Sequence, residues 1–250
     1  MLVVGAGQQG SDIEQPPIGN GRAMSVLFAR EGARLALSDH DAIALRESAD
    51  LLATDGPRPQ TIVAEAADPA AVERMVGEAA ARLGGGLDGL AVNVGIVAGH
   101  GLDGTSVEDW DRVFAVDVRA HELICRHALQ AMTDDASIVL ISSIAAAMPV
   151  SDVVAYHAAK AALSGLCLWL AKHAAPRGIR VNLILPGLID TVRGRLASRA
   201  DPARDQRAIP LGRQGTAWEV AYAAAFLLSG EASYITGHSL VVDGGLLALR

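Results

Sequence analysis

Ser137-Ile138-Val139-Leu140-Ile141-Ser142 is an unbroken aliphatic run closed by hydroxyl residues, and a second apolar run follows at 179–185. Between them lies a helical pattern over 153–175. A strand with no polar alternation is buried on both faces, so both runs read as interior strands of a helix-covered sheet. A connecting helix carries the chain back to the starting edge, which makes the two strands parallel. The same alternation continues in both directions. Strands are predicted at 2–4, 34–38, 60–64, 87–93 and 239–242, with helices at 22–30, 41–53, 69–83, 107–132 and 216–229. Asp68 followed by Pro69 marks a helix start, with aspartate as N-cap and proline in the first position. No linker, repeat or low-complexity tract interrupts the pattern. The expectation is an α/β fold with a doubly wound parallel seven-stranded sheet, in one domain over residues 1–250.

The 250 residues are 51% apolar and 20% charged, enough to bury one large core. Aromatic residues make up only 4%, so that core must be aliphatic. A net charge of −7 argues against a nucleic-acid partner, which needs a basic face. No apolar run reaches the roughly 18 residues of a membrane span, and no signal peptide is evident. The two cysteines, Cys125 and Cys167, sit in helical segments without metal-ligand spacing, and the histidines show none either. The expectation is a cytoplasmic protein without a metal, a membrane or a nucleic acid as partner.

In an open sheet of this type, ligands bind beyond the carboxyl ends of the strands. Gly5-Ala6-Gly7 follows the first strand there, and Gly19-Asn20-Gly21 opens the first helix. Glycines at such a turn let the backbone approach a pyrophosphate, whose charge the helix N-terminus stabilises. Residues 8–18 then read as an insertion within the loop, either covering the pyrophosphate or looping out into solvent. Asp39 ends the second strand, where a carboxylate accepts both adenosine ribose hydroxyls and repels a 2′-phosphate. That position favours NAD over NADP; Arg22 and His40 are the neighbours able to soften the preference. Asp39 could instead cap the next helix, a task Asp41 is equally placed to perform.

Tyr156-His157-Ala158-Ala159-Lys160 lies inside the 153–175 helix, and i, i+4 spacing puts phenol and ammonium on one face. A free tyrosine ionises near pH 10, so general acid–base work at neutral pH requires about 4 kcal/mol of help, which an adjacent ammonium can largely supply. Alone, the pair is an ordinary helix-surface feature. Ser142 and Ser143 change its meaning. They end the preceding strand, and the Ser143 hydroxyl is placed to hydrogen-bond the carbonyl oxygen that the phenol protonates.

The glycine turn, Asp39, Ser143, Tyr156-x-x-x-Lys160, Asn182-x-x-x-Pro186-Gly187 and Thr191 resemble the short-chain dehydrogenase/reductase family in order and spacing. So does the closing stretch Ala232-Ser233-Tyr234-Ile235-Thr236-Gly237 with Val242-Asp243-Gly244-Gly245. The resemblance covers nearly the whole chain. It implies a Rossmann-like fold, a nicotinamide cofactor, and interconversion of a secondary alcohol and a ketone on a small-molecule substrate. Tyr156 would be general acid/base, Ser143 would orient substrate, and Lys160 would hold the nicotinamide ribose. Gly5, Gly19, Asn20 and Gly21 would receive the pyrophosphate, with Asp39, Glu65, Ala66, Asn93 and Gly95 on the adenosine side. Pro186, Gly187, Ile189 and the Thr191 hydroxyl would fix the carboxamide. A homotetramer built through the long helices and the last strand is also implied.

Three departures from the family pattern stand out: the insertion at 8–18, Val92-Asn93-Val94-Gly95 in place of Asn-Asn-Ala-Gly, and Asp117 where the family has a catalytic asparagine. At about 6 Å and an effective dielectric of about 20, an extra carboxylate disfavours a phenolate by roughly 3 kcal/mol. Asp117 is therefore expected to be neutral or paired with Lys160. These departures motivate a rival reading, a catalytically weak nucleotide-binding paralogue acting as sensor or structural protein. A lyase- or epimerase-like reaction on the same fold is a further option. The substrate pocket is expected among residues 145–153 and 188–213, with His100 as a candidate lining residue. The arginines of 188–213 read either as a basic flap for an anionic substrate or as a solvated amphipathic helix.

Overall fold

The computed structural model describes residues 1–53, 57–149 and 151–249. Seven strands form one parallel sheet: β1 (Leu2–Val4), β2 (Ala36–Asp39), β3 (Gln60–Val63), β4 (Leu87–Val92), β5 (Met132–Ile141), β6 (Arg180–Pro186) and β9 (Ser239–Val242), in the order β3-β2-β1-β4-β5-β6-β9. The order reverses direction between β1 and β4, which is where such sheets bind ligands. The helices are α1 (Asn20–Arg30), α2 (Ala42–Leu52), α3 (Pro69–Arg82), α4 (Val107–Phe114), α5 (Ala120–Ala131), α6 (Val154–Ala174), α7 (Val192–Ala200) and α8 (Ala217–Leu228). A small pair, β7 (Ile189–Asp190) with β8 (Gly215–Thr216), stands apart from the main sheet.

Each sheet face carries its own core. Leu90, Ile138 and Leu140 pack on one side with α3, α5 and α6 residues such as Met75, Ile124 and Leu163. Val3, Leu37 and Ile184 pack on the other with Met24 and Phe28 of α1 and Val220 of α8. All are essentially sealed from water, and each fully buried side chain of this size contributes about 1.5–3 kcal/mol. The helix starts follow local chemistry. Asp41 accepts the Ile43 and Ala44 N–H groups, Asp68 accepts that of Ala70, and Thr216 with Glu219 forms a capping box on α8.

The structure amends several sequence expectations. The predicted helix 107–132 is interrupted by a π-helical turn at Ala115–Arg119 and stops at Ala131. β5 starts at Met132, five residues before its apolar run, with a register shift against β4 and Asp135 at φ 61°. The polar Thr133-Asp134-Asp135 hides that segment from periodicity. Within 188–213, Val192–Ala200 forms the helix α7, the second of the two readings given for that segment. By length and mean hydropathy Val154–Arg177 would suffice for a membrane span, contrary to the apolar-run count. Its Leu163, Cys167 and Leu170, however, are buried in the core.

Candidate active site

The carboxyl edge of the sheet is shaped first by glycine. A Cβ on Gly21 would lie 1.8 Å from the Gly5 carbonyl oxygen, so only glycine lets the start of α1 meet the turn after β1. Asn93 steadies that turn by donating from Nδ2 to the Gly5 carbonyl at 3.1 Å. The α1 N-terminus has no side-chain cap, which leaves its N–H groups available for an anion. Asp39, at the end of β2, accepts the Gly7 N–H at 2.8 Å and the Asp41 N–H at 3.1 Å, with His40 3.0 Å away. Asp41, not Asp39, caps α2. Arg22 is turned away, bound to Ser48, the Ala44 carbonyl and Glu47. A cradle that a Cβ would fill, a carboxylate at the end of β2 and an open helix terminus fit a dinucleotide.

At the other end of the crevice, α6 carries Tyr156 and Lys160 on one face, with Lys160 Nζ 5.5 Å from the phenol ring centre. Lys160 is buried, and a buried ammonium needs partners. It finds Asp117 Oδ2 at 3.2 Å and the Val94 and Ile141 carbonyls at 3.4 Å each. Asp117 sits in the middle of the π-helical turn and accepts the Ile96 N–H at 2.7 Å. The substitution at the asparagine position is thus an ion pair. Gly95 is pressed against it: a Cβ there would come within 2.9 Å of both Asp117 Oδ2 and Lys160 Nζ.

The two serines divide their tasks. Ser142 is buried and donates to the Lys160 carbonyl at 2.9 Å, anchoring α6 to β5. Ser143 is partly open at the same edge, and its hydroxyl accepts the Ala145 N–H. His157 joins the same turn through the Ala145 carbonyl at 2.8 Å. Thr191 caps α7 by accepting the Gly194 N–H at 3.1 Å, while Pro186, Gly187 and Ile189 lead into it from β6. Glu65 is exposed and Ala66 buried beyond β3.

His100 is exposed, 3.9 Å from Asp152, on a loop whose Gly101 N–H donates to the Asp152 carbonyl. It ties two rim loops together. Of the expected pocket segment 145–153, Val150 lies outside the described residues. Four of the six arginines in this segment are engaged within the chain: Arg195 with Asp190, Arg199 with Asp12, Arg204 with Ser198 and Asp205, and Arg213 with Glu219. That favours the amphipathic-helix reading over a receptor for anions. His121, which its place on a helix marks as a packing or surface residue, lies fully buried one turn after Asp117. Burial, and then the Lys160 ammonium, hold its pKa well below the ordinary imidazole value, while the Val116 carbonyl pulls the other way. Its i, i+4 spacing from Asp117 was the available signal.

Fold and edge together define a dinucleotide-binding α/β protein. The family described as enoyl-(acyl carrier protein) reductase matches residues 18–247. The chain is 36% identical over 90% of its length to the whole of "Inactive 2-(S)-hydroxypropyl-CoM dehydrogenase 2" of Xanthobacter autotrophicus. It is 34% identical to the 3-oxoacyl-[acyl-carrier-protein] reductase FabG of Escherichia coli, covering 91% of this chain and 93% of that one. A metagenomic blue fluorescent protein solved in complex with NADPH superposes with a TM-score of 0.88 at 30% identity, covering 99% of this chain and 97% of the other. The chain belongs to the short-chain dehydrogenase/reductase family, whose members are NAD(P)-dependent oxidoreductases acting on small molecules.

Proposed function

We propose that this protein interconverts a secondary alcohol and a ketone, with NAD(H) preferred over NADP(H). The observation that carries the reading is the Tyr156–Lys160 face of α6, held at the carboxyl edge by a buried lysine. In the reduction direction, Tyr156 Oη gives its proton to the carbonyl oxygen while Ser143 Oγ donates a hydrogen bond to that oxygen. Lys160 holds its ammonium 5.5 Å from the phenol ring centre and would bind the nicotinamide ribose. When bound, the nicotinamide supplies or accepts the hydride. Gly5, Gly19, Asn20 and Gly21 would hold the pyrophosphate, and Asn93, Gly95, Glu65 and Ala66 would border the adenosine. Pro186, Gly187, Ile189 and Thr191 would border the carboxamide. Asp39 supports NAD(H), because a 2′-phosphate would meet its carboxylate while Arg22 is already committed elsewhere.

Homotetramer formation is supported by apolar side chains left on the surface. Leu168 and Trp169 of α6 are about 60% exposed, and Tyr222 and Phe226 of α8 and Val241 of β9 are open as well. A reducing, cytoplasmic location is supported by two free, buried cysteines, with burial pushing Cys167 up to about 11.

The deciding experiment follows NADH and NADPH oxidation against a panel of ketones, with Tyr156→Phe as control. Turnover that Tyr156→Phe lowers by about 10²–10⁴-fold while nucleotide still binds supports the reading. Undiminished turnover in Tyr156→Phe sinks it. The second reading, a nucleotide-binding protein of little activity, is favoured by the Asp117 carboxylate at Lys160 and by the word "Inactive" in one relative's name. NADH binding with no ketone turned over would select it.

A further inference from the structure

Residues 8–18, inserted into the glycine turn, have no task in the chemistry above. Their neck is closed, since the Gly19 N–H donates to Gln8 Oε1 at 3.0 Å. From that neck the segment reaches α7, where Arg199 Nη1 donates to Asp12 Oδ1 at 2.7 Å. The topology defines what this contact spans. The inserted segment leaves β1 and α7 follows β6, and β4 and β5 lie between those strands. Three strand spacings make roughly 14 Å. The pair therefore bridges across the carboxyl ends of β4 and β5, the edge that bears Asn93 and Ser143, where a ligand of such a sheet lies.

α7 is itself braced. Asp190 holds Arg195 through two hydrogen bonds of 2.7 and 2.9 Å, and Ser198 is joined to Arg204 and Asp205. Displacing Arg199 thus strains the connected flap instead of one free side chain. Asp12 and Arg199 are both solvent-exposed, so salt weakens the contact and it can open repeatedly. The Arg199 guanidinium holds the Asp12 carboxyl below its usual range, which keeps the pair intact at neutral pH.

We infer that Asp12 and Arg199 form a strap that retains bound dinucleotide, joining the pyrophosphate turn to the nicotinamide-side flap and parting before the nucleotide leaves. This rests on the nucleotide-binding reading proposed above. The test is stopped-flow displacement of NADH from the full-length protein by excess NAD⁺, followed by NADH fluorescence. At low salt, Asp12→Asn and Arg199→Gln should each release NADH about two- to fivefold faster, the range of an exposed pair. The difference should vanish at high salt. The exchanged pair, Asp12→Arg with Arg199→Asp, should restore slow release, and Arg193→Gln on the same helix should release at the wild-type rate. Wild-type release from Asp12→Asn, an equal effect of Arg193→Gln, or no recovery in the exchanged pair overturns the strap alone. Failure of the unaltered protein to bind NADH or NADPH overturns the nucleotide reading as well.

Discussion

Asp117 Oδ2 lies 3.2 Å from Lys160 Nζ, and neither side chain meets solvent. The contact joins the π-helical turn after α4 to the second turn of α6. It also answers how a carboxylate is accommodated there: its charge is matched by the buried Lys160 ammonium. A buried pair costs desolvation on both partners, and removing one partner is expensive.

Asp117→Asn removes that charge while keeping the shape. The remaining ammonium then acts on the phenol unopposed, so the pH dependence of alcohol oxidation should move toward lower pH by about one unit. The thermal midpoint should fall, because Lys160 keeps only the Val94 and Ile141 carbonyls. A pH–rate profile superimposable on that of the unaltered protein would discard this account of Asp117.

Ser142 and Ser143 should separate stability from turnover. Ser142→Ala leaves the Lys160 carbonyl without its buried donor and should cost about 1–3 kcal/mol by denaturant unfolding. Ser143→Ala should leave stability nearly intact and lower kcat/KM by about 10²-fold or more. The reverse pattern would assign substrate orientation to the wrong serine.

Gly95→Ala tests how tightly the crevice is built. Its Cβ would come within 2.9 Å of both Asp117 Oδ2 and Lys160 Nζ, so the pair must shift. Turnover should drop by about 10²-fold, since small misplacements at a reacting centre are costly. Unchanged kinetics would mean that the pair's position does not matter to the reaction.

His121 should set part of the acid sensitivity. Its pKa is depressed in the fold, so its contribution to stability is complete above the unfolded imidazole value of about 6.5 and is lost as pH falls below it. His121→Leu removes a buried imidazole whose nitrogens lack good hydrogen-bond partners. The variant should be at least as stable at pH 7 and lose less stability between pH 6.5 and 5. Parallel melting curves across that range would refute the assignment.

Local pattern carried the sheet. Runs such as 137–142 and 179–185 are too apolar to be anything but interior strands, and their alternation with helices imposes parallel pairing. That Tyr156 and Lys160 share one helix face and that Asp39 ends a strand was legible from local spacing. The π-helical turn was not, since it is defined by backbone hydrogen bonding and no residue type in Ala115–Arg119 marks it. Nor was the polar start of β5, where only Met132 pairs with β4 ahead of the register shift and Asp134 is held by Arg177 from a distant segment.

Contacts between distant segments were decided only by the folded chain. Which strand end faces which, and so Asp12 reaching Arg199 or Gly95 pressing on Asp117 and Lys160, depends on strand order, and strand order is set by packing of helices on both faces. The sequence alone determined the residues that can do chemistry at the carboxyl edge. Tertiary structure determined their burial and partners, because the neighbours that surround a side chain are brought from elsewhere in the chain and its own local pattern cannot describe them.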